Sequence, residues 1–340
     1  MRLSGKTMTI PAFVEPHLHL DKAFVWEMVR SKEGTLDKAI AAFSKIKPNL
    51  DEGGIKSRGL AVLEALVRNG VTTVRAQVDV DQWLGLKGVR GALWLKAAVS
   101  ELLDIQVVAF PQEGIRRHPP AGELLAQAVE LGVDALGGIP AIEAGEKDAL
   151  HHVETVMNLA QAAGIDVDMH IDENSSRESR TLELLADVTL DMGFSGGVTA
   201  SHCCALSFYD DHYAERVIEK TKKAGISVVS LPGTNLVAQG RGIQPSPRGL
   251  TRVKELLAAG VNVALGQDSV QSVLYPFGQG DPLEVAFLAA HALHFTAEPE
   301  VEELLRMVTS RAARAIGVQE KQRKLPGRAF FHCQGKRNCR

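Results

Sequence analysis

A glycine followed by valine or isoleucine, at the junction between a helical stretch and a short apolar run, recurs at Gly70-Val71, Gly132-Val133, Gly164-Ile165, Gly225-Ile226 and Gly260-Val261. The intervals are 62, 32, 61 and 35 residues, close to one or two multiples of a common unit. Glycine closes a helix because it enters the left-handed region without a Cβ clash, and the β-branched residue after it opens a strand. The skipped positions hold weaker versions, ELLDIQVVAF at 101–110 and SGGVTASH at 195–202. With a first strand near the start, eight apolar runs emerge: 8–14, 72–80, 104–110, 134–140, 166–171, 197–202, 225–231 and 261–266. Several are apolar almost throughout, as parallel strands buried on both faces are. Amphipathic stretches such as GLAVLEALVRN and LTRVKELLAA lie between them. Eight alternations of strand and helix predict an α/β chain closed into a (β/α)8 TIM-like barrel. An open doubly wound sheet is the second arrangement the pattern permits.

A length of 340 residues, 45% of them hydrophobic and 23% charged, suits one such barrel without disulfide staples. The formal net charge of −3 provides no global field for nucleic acid or an anionic membrane. The longest apolar runs fall far short of the roughly 20 residues that span a bilayer. The opening MRLSGKTMTIPAFVEP has no apolar run long enough for a signal peptide. These features predict a cytoplasmic protein with no nucleic-acid or membrane partner, and a homo-oligomer is expected. Cys203, Cys204, Cys333 and Cys339 form no C-x-x-C pair, so reduced thiols are expected.

In a barrel of this kind, reactive groups gather at the C-terminal ends of the strands. The first run leads into PHLHLDK with His17 and His19, the second into AQVDVD, and the third, through Phe110, into PQEG with Gln112. The fifth ends in HIDEN (His170, Asp172, Glu173), the sixth in SHCC (His202) and the eighth in GQDS (Asp268). His17 and His19 are two apart on a strand, so both rings face the lumen. Imidazole and carboxylate together suit one divalent metal ion, zinc or iron, with His17, His19, His170 and Asp268 as ligands. Asp268 could instead cap a helix, but beside three histidines it reads as ligand and proton acceptor. His202 is either a further ligand or, as preferred here, a donor to the water that the metal holds. Glu173, three residues after His170, suits a proton shuttle; the alternative is a surface carboxylate. His118, in a Pro-rich loop, His151 and His152, on a helix expected to be peripheral, and His291 and His294 are read as structural.

The segments VEPHLHLDKAF, VRAQVDVD, DIQVVAFPQEGI, DVDMHIDEN, VTASHCCAL, QGR and GLTRVKELLAAGVNVALGQDSV resemble, in order, those of bacterial cytosine deaminases of the metal-dependent amidohydrolase superfamily. The resemblance runs from about residue 8 to about residue 318. It implies an amidohydrolase-type barrel with one zinc or iron ion on His17, His19, His170 and Asp268. It also implies that His202 contacts the metal-held hydroxide, that Glu173 is the acid and base, and that Gln112 holds the ring's amide edge. Phe110, Ser269 and Leu274 join Gln112 in the expected substrate pocket. Triazine N-alkyl hydrolases share much of this framework.

Departures from that pattern concern the substrate rather than the metal. The family's His-Asp-Asp after strand 8 is here Gln267-Asp268-Ser269, and its Trp a few residues later is Leu274. Its Thr-His-Val-Asp-Val after strand 2 is Ala-Gln-Val-Asp-Val with Gln77, and its His-Phe-Glu after strand 4 is Ala141-Ile142-Glu143. The expected function is hydrolytic deamination of cytosine, a 5-substituted cytosine or a related heterocycle, with release of ammonia. The alternatives are N-alkyl amidohydrolysis of a triazine-like ring, or a truncated, non-catalytic relative. The barrel is expected over 1–318. The family's small terminal β-sandwich is expected to be largely missing, and 319–340 forms a basic tail, seven Lys/Arg against one Glu, that a truncated or frame-shifted gene would produce.

Overall fold

The computed structural model describes residues 10–29 and 35–319. Eight strands run in sequence order around one parallel sheet: β1 (Phe13–His19), β2 (Val71–Asp79), β3 (Asp104–Phe110), β4 (Ala135–Gly138), β5 (Asp166–Ile171), β6 (Val198–His202), β7 (Ser227–Ser230) and β8 (Val263–Leu265). The helices are α1 (Trp26–Val29), α2 (Leu36–Ser44), α3 (Glu52–Arg68), α4 (Lys87–Ala98), α5 (Pro120–Glu130), α6 (Glu146–Ala163), α7 (Thr181–Met192), α8 (Asp211–Lys223), α9 (Pro232–Ala238), α10 (Val253–Ala259), α11 (Pro282–Leu293), α12 (Glu298–Met307) and α13 (Ser310–Ala315). The unbroken strand order gives the barrel and leaves the doubly wound sheet behind. Gly164 and Gly260 cap their helices at φ 66° and 92°, the left-handed geometry that the repeat implied.

The first strand is the one substantial shift. The run 8–14 was expected to precede the two histidines, but β1 covers Phe13–His19 and contains both. Its partner sets the register: Phe13 lies opposite Val71 and His19 opposite Gln77. Pairing with β2, rather than apolarity, fixes where this strand ends. Every residue of β1 is buried, the polar ones included, because the strand lines the lumen.

The seam between β8 and β1 closes through Asp268, whose N–H donates to the His17 carbonyl (2.8 Å) and whose carbonyl accepts from His19 N–H (2.9 Å). The apolar core lies between strands and helices, with Val74, Ala76, Val107, Val167, Ala200 and Val228 facing outward onto Leu63, Leu95, Leu125, Val156, Leu185 and Val217. Inside, the lower lumen is polar. Arg75 is fully buried there and donates to Gln106 Oε1 (2.8 Å), Asp166 Oδ2 (2.9 Å), Asp168 Oδ2 (3.3 Å) and the Ile316 carbonyl (3.3 Å). A buried guanidinium requires such partners. They tie the residue after α13 across the barrel floor.

Cys203 and Cys204 are free and buried; Cys333 and Cys339, with the tail from residue 320 on, lie outside the described residues. No helix among the described residues is long and apolar enough to cross a membrane. His152 is not peripheral. It is fully buried, accepts the Ile139 N–H at Nε2 (3.1 Å), and bonds Glu143 through Nδ1 (2.8 Å).

Candidate metal centre and pocket

At the C-terminal rim, His17 and His19 project from β1, His170 from β5 and His202 from the end of β6, with Asp268 just beyond β8. All five are buried. The His19 and His170 Nε2 atoms are 3.0 Å apart, and Asp268 Oδ1 lies 3.3 Å from His19 Nε2 and 3.7 Å from His17 Nε2. Ligands 2.0–2.2 Å from a tetrahedral zinc stand about 3.4 Å from one another, so these separations fit a shared cation. Burial, aided by the Lys22 ammonium, lowers His19 to about 4, and burial holds His170 well below the ordinary histidine range. Both rings are therefore neutral and carry lone pairs. Burial disfavours charge on Asp268, but its hydrogen bond with His19 and the adjacent imidazoles outweigh that, so the carboxylate stays ionised. The buried Nε2 of His17 has no hydrogen-bond partner among the described residues. Two overlapping buried sets at this rim, His17–His19–Asp268 and His17–His170–His202, bring their ligand atoms close enough that each could hold a metal.

Backbone strain concentrates here. His202 and Asp268 have φ of 71° and 64°, a region costly for residues with a Cβ. Neither Asp268 nor Ser269 caps a helix, since the next one, α11, begins at Pro282.

His202 also lies within ligand reach of His17 and His170. Its Nδ1 accepts an N–H from Asn235 Nδ2 (2.9 Å) on α9, which leaves the ring proton on Nε2. Burial lowers His202 to about 3, so the ring is neutral. Its Nε2 has no hydrogen-bond partner among the described residues. In this tautomer His202 presents an N–H at Nε2. Glu173 Oε1 lies 3.5 Å from His202 Nδ1. Burial and the Asp268 charge raise Glu173 well above the usual carboxylate range, against the pull of the Lys22 ammonium. Asp172, its neighbour, faces away and is structural: Oδ1 accepts from Thr181 N (2.9 Å) and Thr181 Oγ1 (2.7 Å) at the start of α7.

Above these groups is one pocket, lined by His19, His170, Glu173, His202 and Asp268 on its floor. Ala39, Ile40 and Phe43 of α2 form one wall, Ser269, Ser272, Val273 and Leu274 a second, and Lys22, Gln112 and Glu113 a third. Gln112, Ser269 and Leu274, expected to face a substrate, line this pocket. Phe110 is not among the lining residues; it is fully buried behind His170, stacked at 4.5 Å between ring centroids and 14° between planes. Gln77 approaches His17 Nδ1 at 3.4 Å rather than the pocket. Gly278 presses on the Ser269 wall: a Cβ there would meet the Ser269 carbonyl oxygen at 2.0 Å, so only glycine fits.

Two functional positions escape the sequence reading. Lys22, in HLHLDK, reaches Asp79 Oδ1 (2.8 Å) and Gln112 Oε1 (2.5 Å). Asn235 follows β7, the strand end at which no candidate was sought. Below Lys22, the buried Lys47 binds Asp79, Asp81 (both 2.7 Å) and Glu113 (2.9 Å). Burial opposes the charge on Asp79, but the two ammoniums hold it near 2. Glu143 takes no part in the pocket. It accepts from Ile115 N (2.6 Å) and Arg116 N (3.2 Å), joining the loops after β3 and β4.

The model of the Amidohydrolase family matches residues 58–325. A pterin deaminase of Rhizobium rhizogenes is 32% identical over 314 residues, spanning 91% of this chain and 70% of that protein. An N-isopropylammelide isopropyl amidohydrolase of Pseudomonas sp. is 28% identical over 316 residues, spanning 91% and 75%. Among solved structures, 5-methylcytosine deaminase from Klebsiella pneumoniae, liganded with phosphonocytosine, is similar with a TM-score of 0.89 and 36% identity, over 97% of this chain and 79% of that one. With the family matched over most of its length and the donor set assembled at the barrel rim, the chain belongs to the amidohydrolase family.

Proposed function

We propose that this chain is a metal-dependent deaminase of an amino-substituted pyrimidine or related heterocycle, with His17, His19, His170 and Asp268 holding one zinc or iron ion. The observation that carries the reading is that Glu173 and Asp268 line one buried pocket in environments that push the first carboxyl up and the second down. Two carboxyl groups whose environments push them apart supply an acid and a base at the same pH. The bound metal supplies acidity, lowering the pKa of water toward neutrality.

The protein's own groups divide the proton transfers. Glu173 gives its proton to the ring nitrogen next to the amino-bearing carbon, which makes that carbon electrophilic. Asp268 takes a proton from the attacking water, and His202 Nε2–H donates to the oxygen that adds. The proton on Asp268 then passes to the amino group, the carbon–nitrogen bond breaks, and ammonia leaves as the hydroxyl proton returns to Glu173 and the ring carbon becomes a carbonyl.

Ser269 and Leu274 give the pocket room for a ring substituent beside the reacting carbon. Ser269 replaces a carboxylate of the resembling enzymes, and a methyl group next to serine avoids the desolvation a carboxylate would suffer. The similarity to a 5-methylcytosine deaminase supports a 5-substituted cytosine as one substrate. Incubation of the zinc- or iron-loaded protein with pyrimidines, purines, pterins and N-alkyl triazines decides the reading. Ammonia release from one of the first three classes is expected; alkylamine alone, or no product from any ring, would refute it.

A further inference from the structure

We propose that Glu15 is a positioning residue of the metal centre: its carboxyl group bonds the backbone on both sides of the β1–β8 seam and so sets the spacing at which His17 and Asp268 share one cation. The inference rests on the ligand set proposed above and goes beyond it, since Glu15 lies outside that set.

β1 is not a regular strand. Its register pairs Glu15 with Val74, then Leu18 with Ala76 and His19 with Gln77, so Pro16 and His17 stand together opposite Arg75. Two residues against one make a β-bulge, and proline is tolerated there because it has no N–H to give the ladder. One inserted residue also exchanges the two faces of a strand. Glu15 is paired with Val74, an outward residue of β2, whereas His17 beyond it reaches the lumen, its ring 4.7 Å from that of His170. In a regular strand His17, two residues on, would share the face of Glu15.

The bulge frees the N–H of His17, and Glu15 Oε1 accepts it at 3.0 Å. The same oxygen accepts the N–H of Gln267 at 3.0 Å, with Oε2 3.1 Å from that nitrogen. Gln267 immediately precedes Asp268. One buried side chain therefore bonds the backbone of the first ligand and of the residue before the last. Buried N–H groups need acceptors, and this carboxyl group serves two of them from opposite strands. The main-chain pairing of β1 with β8 is one bridge among the described residues, Leu18 with Asp268, so Glu15 supplies the adjoining bonds along the seam. Gly266 leaves the room for it: a Cβ there would lie 2.9 Å from Glu15 Oε1 and 3.0 Å from Leu231 Cδ2.

Reach and charge can be separated by substitution. Glu15→Gln keeps an oxygen in the place of Oε1, which takes both bonds, and removes the charge. Glu15→Asp keeps the charge but is one methylene too short to serve both N–H groups. Each is titrated with cobalt(II), whose visible absorption reports the geometry of its ligands, beside the wild type and His17→Ala. Glu15→Gln should match the wild type in affinity and spectrum. Glu15→Asp should bind about 10- to 100-fold more weakly, the usual cost of losing a group that orients a ligand, and with an altered spectrum. Weakened binding in Glu15→Gln, or wild-type binding and spectrum in Glu15→Asp, would overturn the proposal. If Glu15→Asp does not fold, Gly266→Ala decides: it displaces Oε1 while leaving Glu15 intact and should weaken cobalt binding, and wild-type affinity there would refute the role. His17→Ala judges the ligand set separately. Wild-type cobalt binding in that variant removes the set, whereas loss there with none in Glu15→Asp removes only the positioning role.

Discussion

Asn235 Nδ2 lies 2.9 Å from His202 Nδ1, and this contact selects the tautomer in which His202 Nε2 carries a proton toward the pocket. Removing a partner that orients a metal-site histidine typically costs 10–100-fold. Asn235→Leu should lower kcat/KM by about that factor with the metal retained. Asn235→Asp should draw the proton to Nδ1, seen as exchanged 15N shifts of the two ring nitrogens in histidine-labelled protein. Unchanged shifts would separate Asn235 from the tautomer.

Glu173→Gln should keep metal content and melting temperature while turnover falls about 10²–10⁴-fold, the usual cost of losing a general acid and base. The neutral amide matches the shape of the protonated acid but has no proton to transfer. Near-normal ammonia release would remove Glu173 from the chemistry.

His17→Ala removes a buried nitrogen that has no hydrogen-bond partner among the described residues. Elemental analysis should find well under one equivalent of zinc or iron per chain. Because a ligand that binds only the folded state stabilises it, a chelator should lower the melting temperature of the wild type and have less effect on the variant. Full occupancy in the variant would refute the ligand set.

Ser269→Asp should lower kcat/KM for 5-methylcytosine relative to cytosine. One methyl group in a fitted space is worth ~1–3 kcal/mol, or about 10- to 100-fold. A ratio unaffected by the substitution would show that Ser269 does not shape the pocket.

The Glu143–His152 pair predicts acid lability. Burial lowers His152 below its ordinary 6.5, so below that pH the unfolded chain takes up a proton that the folded one refuses. Burial alone would raise Glu143, but its bonds from His152, Ile115 and Arg116 hold it below 4.5, so its contribution is present above 4.5 and lost as pH falls through the folded value. Both act in the same direction, and stability should decline as pH drops from about 6.5. His152→Gln should weaken the upper part of that decline in urea titrations at several pH values.

The barrel was legible because its period is written in the chain, where each glycine cap is followed by a β-branched residue. The rim residues were legible because strand ends can be located once strands are. Lys22 and Asn235 were not, since each acts through another side chain: Lys22 through the Gln112 carbonyl and Asn235 through the far nitrogen of His202. Nothing local marks a residue whose partner is 90 or 33 positions away. The start of β1 was misplaced for a related reason, because its extent is set by pairing with β2 rather than by its own composition.

The two backbone bonds that flank Asp268 close the last strand onto the first at the point where the candidate metal ligands meet. The same contact that closes the ring brings the Asp268 carboxylate to the histidines of β1. A chain that has formed seven strands but not docked the eighth holds His17, His19 and His170 without their carboxylate. A cation held by Asp268 together with the His17 and His19 side chains would also draw the two strand ends together.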